Sequence, residues 1–479
     1  MTGMNAIELA YFALESTSHP WHAGAVLLFD PAEGQTGAEL AHQAMVAFTE
    51  IAADAPWNQR PVFGIGSRPH WEAMRDLDLG YHVRSIALPA PGSMRQLMDV
   101  VSGLYPVLLD RSRPLWQMDI IGGLEHDRIA LYLKVHHSLL DRAGGRRRML
   151  GNWLQESPQD LPRPPWAVSA EPQPDPETTD QGRGPSAIGG LTKSAARVVK
   201  AAAKVLPESV RLVRGTQPPF SAARTPRMAA HVSPARSYAA FDFLLSEARQ
   251  IREHAGGTVN DVLMTVCDEA LQRYLEESGG HRDQPMTALM AVATRRPGDE
   301  SGRLTAAALM VKLGAPLAPP SQRLAQVVAA TTRIKSIARE TSLTTLQLQM
   351  MLLQGAAIAR EKLPFGRAKI PNFVNFGMSN IQGGLPDPRY LGKAKLAAAY
   401  AQPIVPASHD VTFVAMPCGD SMCVGMGAAR NLLPDTNRLA ELAAEAFEEL
   451  KATVLTPAEP KSPEGDRQTN SPSPARESA

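Results

Sequence analysis

Long apolar runs are missing from this chain of 479 residues. No stretch approaches the roughly 20 apolar residues needed to cross a bilayer, so no transmembrane segment is expected. The opening MTGMNAIELAYFALESTSHP lacks the basic start and apolar run of a secretory signal. Cysteine is scarce: Cys267, Cys418 and Cys423. An odd, sparse set builds no disulfide framework and its spacing matches no zinc site, so these read as buried or neutral thiols in a reducing compartment. Excess charge of either sign is missing too. With 49 basic against 48 acidic side chains, the net charge of +1 gives no global reason to bind nucleic acid. The expected location is cytoplasmic, or on a membrane surface from the cytoplasmic side.

What is present is apolar material for real cores, 44% of the residues, on a chain long enough for two domains. Residues 1–156 alternate strand-like and helix-like segments. Ala23 to Phe29 reads as a buried strand, Ala38 to Ala52 as a helix, and Met94 to Leu109 as a helix broken at Pro106. Pro114 to Ile121 and Arg128 to His137 are further strands. Residues 157–236 form a connection, solvated at first by composition and helical in pattern over about 187–214. The alternating pattern resumes over 237–455, and 456–479 has the composition of a disordered tail. The expectation is two α/β lobes with a ligand cleft between them.

The sharpest local feature is RIALYLKVHHSLLD, Arg128 to Asp141. On a strand, side chains alternate faces. Ile129, Leu131, Leu133, Val135 and His137 share one face, and Ala130, Tyr132, Lys134 and His136 the other. His137 thus ends an apolar row at the edge of a core. An imidazole there, with an ordinary pKa of about 6.5, suits general base work on an alcohol. Asp141 follows past a short turn, where its carboxylate orients the imidazole or holds the turn by pairing with an arginine. A structural histidine is the plainer reading of such a position. Adjacent histidines face opposite ways, which argues against a shared metal ion, and Ser138 lacks the Gly-x-Ser-x-Gly surroundings of a nucleophile.

The run His136-His137-Ser138-Leu139-Leu140-Asp141 resembles the HHxxxD core of the bacterial wax ester synthase/acyl-CoA:diacylglycerol acyltransferase family, within the coenzyme A-dependent acyltransferases that include condensation domains. Other segments resemble that family in the same order: Glu15 with His19 to Gly24, Pro114-Leu115-Trp116, Asn260-Asp261, Leu289 to Arg295, Ser379-Asn380 with Gly383, and Asn431 to Asp435. The resemblance implies two chloramphenicol acetyltransferase-like lobes with a cleft or tunnel between them. It implies His137 as general base, with His136 beside it and Asp141 orienting or structural, and Arg295 as a partner for Asp141. Asn260 either positions substrate or caps the helix that begins there. Asp261, Arg295, Ser379, Asn380, Trp116 and Glu15 are the remaining substrate-side candidates, with Trp116 and Met118 expected to line a core or acyl tunnel.

The implied reaction moves a long-chain acyl group from acyl-CoA, a co-substrate, to diacylglycerol or a long-chain alcohol. A thioester is already activated, so no bound cofactor or metal is required. The resemblance implies work at the inner face of a membrane or on lipid droplets; the alternatives are a carrier-protein thioester as donor and a non-catalytic or weakly active lipid-binding homologue. Two departures bear on this. Arg142 stands where the family usually has glycine after the aspartate, and Arg303 follows Gly302 where the family often has asparagine. Arg142 is expected to narrow the cleft or to meet a coenzyme A phosphate. Lys193, Arg197, Lys200 and Lys204 fall on one face of a helix opposite small apolar residues, a pattern suited either to an anionic membrane surface or to packing on the second lobe.

Overall fold

The computed structural model describes residues 2–64, 68–142, 153–167, 232–294, 305–340, 343–363, 374–381 and 383–455. In chain order the first half contains β1 (Thr2–Gly3), α1 (Ala6–Leu14), β2 (His22–Asp30), α2 (Gly37–Glu50), β3 (Gln59–Val62), β4 (His70–Ala73), α3 (Leu79–His82), β5 (Val83–Ala87), α4 (Met94–Leu104), β6 (Trp116–Gly122), β7 (Ile129–His136) and α5 (His137–Arg142). The second half contains β8 (Arg236–Leu244), α6 (Leu245–Ala255), α7 (Val259–Glu277), β9 (Thr287–Thr294), β10 (Thr305–Lys312), α8 (Pro320–Glu340), α9 (Leu343–Lys362), β11 (Phe376–Asn380), β12 (Tyr390–Leu391), β13 (Ala394–Gln402), β14 (Val411–Cys418), β15 (Ser421–Ala429) and α10 (Thr436–Leu455). The basic 187–214 segment, Arg295, Arg303 and the tail lie outside the described residues.

Local chemistry accounts for several of these boundaries. Thr36 accepts from the Glu39 amide while Glu39 returns to the Thr36 amide, so a capping box starts α2. Ser93 and Gln96 do the same for α4. That helix ends at Leu104, short of the expected Leu109, because Pro106 has no amide to continue it.

Two six-stranded sheets carry the fold, in the orders β12-β13-β2-β7-β6-β5 and β10-β9-β11-β14-β15-β8. The first draws a strand pair from the second half of the chain: β13 runs antiparallel to β2. The two sheets do not divide at the residue, 237, where the second lobe was expected to begin. Tyr390–Gln402 completes the first sheet, and no local sequence pattern shows which sheet edge a strand joins.

The crossing strand holds the lobes together. Tyr238 donates to the Tyr400 carbonyl at 3.0 Å, Tyr105 to the Pro403 carbonyl at 2.5 Å, and Tyr400 to Asp242 Oδ2 at 2.5 Å. Gly425 must be glycine, since a side chain there would run into the Ala401 carbonyl. On β7, Ile129, Leu131, Leu133 and Val135 enter one core with Ala25, Leu27, Ala399 and Ala401. Ala130 and Tyr132 enter another with Tyr105, Tyr238 and Tyr400. The two-residue period read from the sequence is the one observed.

Candidate active site

The strand β7 stops at His136, and His137 is the first residue of α5. The expected turn is a short helix instead. Its entry is fixed by the backbone: His136 N donates to the Leu115 carbonyl at 3.0 Å and His137 N to the Trp21 carbonyl at 2.9 Å. Pro114-Leu115-Trp116 and His19 to Gly24 therefore brace the histidine pair.

His137 lines a cavity of about 140 Å³ between the lobes, with Ala23, Ala25, Leu133, Val135 and Leu140 from the first sheet side and Ser379, Ile381, Thr412 and Val414 from the second. Ala401 to Ile404 run along it where the chain crosses over. The lining is mostly apolar, and its rows follow the register. Val135 faces Ala23, and Leu133 faces Ala25, which faces Ala401. One row further from His137 stand Leu131, Leu27 and Ala399, outside the lining. At about 24 cal/mol per Å³, keeping such a hollow of 140 Å³ rather than packing it forgoes roughly 3 kcal/mol. Small side chains at 23, 25 and 401 are what keep it open.

His136 lives in different surroundings. It is 1% exposed, and its ring stacks on Phe12 at 4.6 Å and 14°. The Ser138 amide, which can only donate, points at Nδ1 at 3.3 Å, and the Ser138 hydroxyl sits 2.6 Å from the same nitrogen. Nδ1 is therefore the acceptor and Nε2 carries the proton, 3.5 Å from Glu15 Oε1. Burial, then the neighbouring His137 and Arg111, push the His136 pKa down to about 3. Glu15 is itself engaged by Arg111 at 2.9 Å and by the Trp21 amide at 3.3 Å.

The other expected residues divide. Ser379 lines the cavity. Asn380 follows it on β11, with Oδ1 buried and without a hydrogen-bond partner among the described residues. Asn260 is not the cap of its helix. Thr258 caps α7 and Asp261 closes the capping box, because Asp261 stands three residues after Thr258 and Asn260 only two. Asn260 contacts Met290 Sδ at 3.4 Å. Asp261 also accepts from Thr331 Oγ1 at 2.7 Å, joining α7 to α8. Trp116 donates to the Trp57 carbonyl at 2.8 Å within a cluster of Trp57, Trp166 and His82, away from the cavity lining. Asp141 lies on the backbone of α5, and its side chain is outside the described residues.

Sequence reasoning missed four contributors. Tyr11 and Trp21 pack on the His137 ring at 4.6 and 6.4 Å, and Thr412 and Gln402 line the cavity. Trp21 lay within a segment already singled out; the other three sit in stretches with no local signal. Among the described residues, no group of three or more His, Cys, Asp or Glu side chains could hold a metal ion. No described helix is long and apolar enough to cross a membrane.

A wax ester synthase/diacylglycerol acyltransferase catalytic domain matches residues 4–263, and the corresponding C-terminal domain matches 305–451. The chain belongs to this acyltransferase family. It is 36% identical over 472 residues to the probable diacylglycerol O-acyltransferase Tgs4 of Mycobacterium tuberculosis, covering 95% of this chain and 98% of that one. The wax ester synthase/diacylglycerol acyltransferase from Marinobacter aquaeolei VT8 superposes with a TM-score of 0.72 at 24% identity, over 95% of this chain and all of that one. The first condensation domain of the CDA synthetase shares the fold, with a TM-score of 0.53 at 13% identity, over 96% of this chain and 97% of that domain. This acyltransferase thus has the two-lobed fold that both of those structures share.

Proposed function

We propose that this acyltransferase moves a long-chain acyl group from acyl-CoA to the hydroxyl of diacylglycerol, and to long-chain alcohols as second acceptors. The observation that carries the reading is the apolar cavity walled on one side by His137. Names of relatives such as Tgs4 support the acceptor class. His137 takes the acceptor hydroxyl proton as its oxygen bonds to the thioester carbonyl carbon. The C–S bond then breaks, the proton passes to the departing thiolate, and the ester is released. Because the thioester is activated, placement of the hydroxyl beside His137 is the main demand on the protein. Asp141, four residues after the base on α5, is assigned the structural or orienting role. Ser379, on the opposite wall, is assigned to the substrate's polar end, with Asn380 next to it on β11 as a further candidate.

The test is transfer of labelled palmitoyl-CoA to diolein and to hexadecanol by the full chain. His137→Ala is expected to lose about 10²–10⁴-fold of the transfer rate while keeping its fold. Near-normal turnover by that variant would end the mechanism. Label in triacylglycerol rather than wax ester names the acceptor. For a water-insoluble acceptor the protein must reach a lipid surface, and the basic face of 187–214 is the segment proposed to do so.

A further inference from the structure

Arg142 lies on α5, five residues after His137, and it does not enter the cavity lining. It neither narrows the cleft nor waits free for a phosphate. Its guanidinium lies over the Trp71 ring at 4.5 Å, Nη2 donates to Gln59 Oε1 at 2.5 Å, and Nε stands 3.8 Å from Glu8 Oε1. Its side chain is 18% exposed and that of Glu8 6%. Glu8 is held in turn by the Asn5 amide at 2.7 Å and by Trp71 Nε1 at 3.3 Å. One side chain thus ties α5 to α1, β3 and β4.

Glu8, Tyr11, Phe12 and Glu15 follow the i, i+3, i+4, i+7 spacing of one helix face. Glu15 continues the helical pattern past the end of α1, its amide bonding the Tyr11 carbonyl at 3.0 Å. Glu8 meets Arg142. Tyr11 covers the His137 ring, Phe12 stacks on the His136 ring, and Glu15 reaches His136 Nε2. The face gripped by Arg142 at one end is the face laid across both histidines.

We propose that Arg142 is a positioning residue that latches α1 over His137, keeping water off the acyl thioester so that transfer to an alcohol outruns hydrolysis. This rests on the acyl-transfer reading above. In hydrolysis, water takes the place of the alcohol: its oxygen bonds to the acyl carbon, His137 takes its proton, the C–S bond breaks, and a free carboxylic acid leaves with coenzyme A thiol. The two reactions share donor, base and leaving group. Their ratio therefore reports which hydroxyl compound reaches the thioester, and not how much enzyme is folded.

The experiment measures thiol release and ester formation together for wild type, Arg142→Gly, Arg142→Lys and Glu8→Gln. Arg142→Gly is expected to raise hydrolysis relative to transfer by about tenfold, the opening expected when a largely desolvated cation–π and charge-assisted contact is removed. Arg142→Lys, which keeps a cation near Glu8 and Trp71, should fall between. Glu8→Gln removes the other arm and should move the ratio the same way, so it carries the test if Arg142→Gly does not fold. A wild type that transfers, with the ratio unchanged in Glu8→Gln and in folded Arg142→Gly, overturns the latch alone. A wild type that releases no thiol overturns the acyl-transfer reading and the latch with it.

Discussion

Filling the cavity should stabilise this protein and disable it at once. Ala401 is 3% exposed, lines the cavity, and pairs in register with Ala25, which pairs with Leu133. Ala401→Leu puts three more carbon atoms into an apolar hollow of about 140 Å³ beside His137. At about 0.8 kcal/mol per buried methylene, the burial gain is roughly 2 kcal/mol. Packing strain takes back about 1 kcal/mol. The net gain of about 1 kcal/mol should raise the melting temperature by roughly 2 °C. Transfer should move the other way, because a substrate chain loses about 10–200-fold in kcat/KM for each methylene the wall displaces. The assay compares palmitoyl-CoA with octanoyl-CoA as donor, and hexadecanol with octanol as acceptor. Selective loss on the donor series places the acyl chain in the cavity; selective loss on the acceptor series places the alcohol chain there. Unchanged turnover on every chain length by folded Ala401→Leu would refute the assignment of this hollow to a substrate.

Three further outcomes are expected. Gly24→Ala should cost about 1–3 kcal/mol, read as a lower denaturation midpoint, because its Cβ would run into the Leu133 carbonyl on the neighbouring strand. His409 is buried between Ser408 and Thr412, and burial, then His19, push its pKa down to about 3. The unfolded chain therefore binds its proton first, and the stability it supplies above pH 6.5 shrinks as pH falls toward 3, by about 2 kcal/mol at pH 5. His409→Gln should flatten the fall in stability between pH 7 and pH 4, and a slope equal to wild type would contradict that. Asp268, raised to about 7 by burial, acts oppositely in both proteins, so the difference between them isolates the histidine. Charge reversal at Lys193, Arg197, Lys200 and Lys204 should weaken sedimentation with anionic vesicles at low salt; equal sedimentation would remove the basic segment from any role at a lipid surface.

The strand β7 and the separation of the two histidines at its end were legible because a two-residue period needs only neighbours in sequence. The helix α2 was legible through its 3.6-residue period, and its capping box fixes the start. What could not be read depends on contacts far apart in the chain. The lending of β13 to the first sheet joins residues some 370 apart, Gln402 beside Gly24, and leaves no local mark. Ala401 reaches the cavity by that pairing, and Thr412 by the pairing of β14 with β11 in the second sheet. The surroundings of Arg142 were illegible for a related reason: Glu8, Gln59 and Trp71, which capture it, come from three separate elements.

The alternation of faces also explains why two adjacent histidines take different work. A side chain at 136 must turn into the packed side of β7, where Phe12 covers its ring and the Ser138 amide dictates its tautomer. In that position, with a pKa near 3, it stays uncharged across the pH range in which an esterification would run. It exchanges no proton and instead holds the start of α5 in place through the Ser138 hydroxyl and amide. The side chain at 137 turns the other way, past the last strand residue, to the wall of the cavity. A one-residue slip of the strand would exchange the two environments. Such a slip is blocked by β2, which pairs His22 with His136 and Ala23 with Val135, and by Gly24, whose lack of a side chain admits the Leu133 carbonyl only in this register. The chemistry assigned to His137 therefore rests on a glycine 113 positions earlier in the sequence.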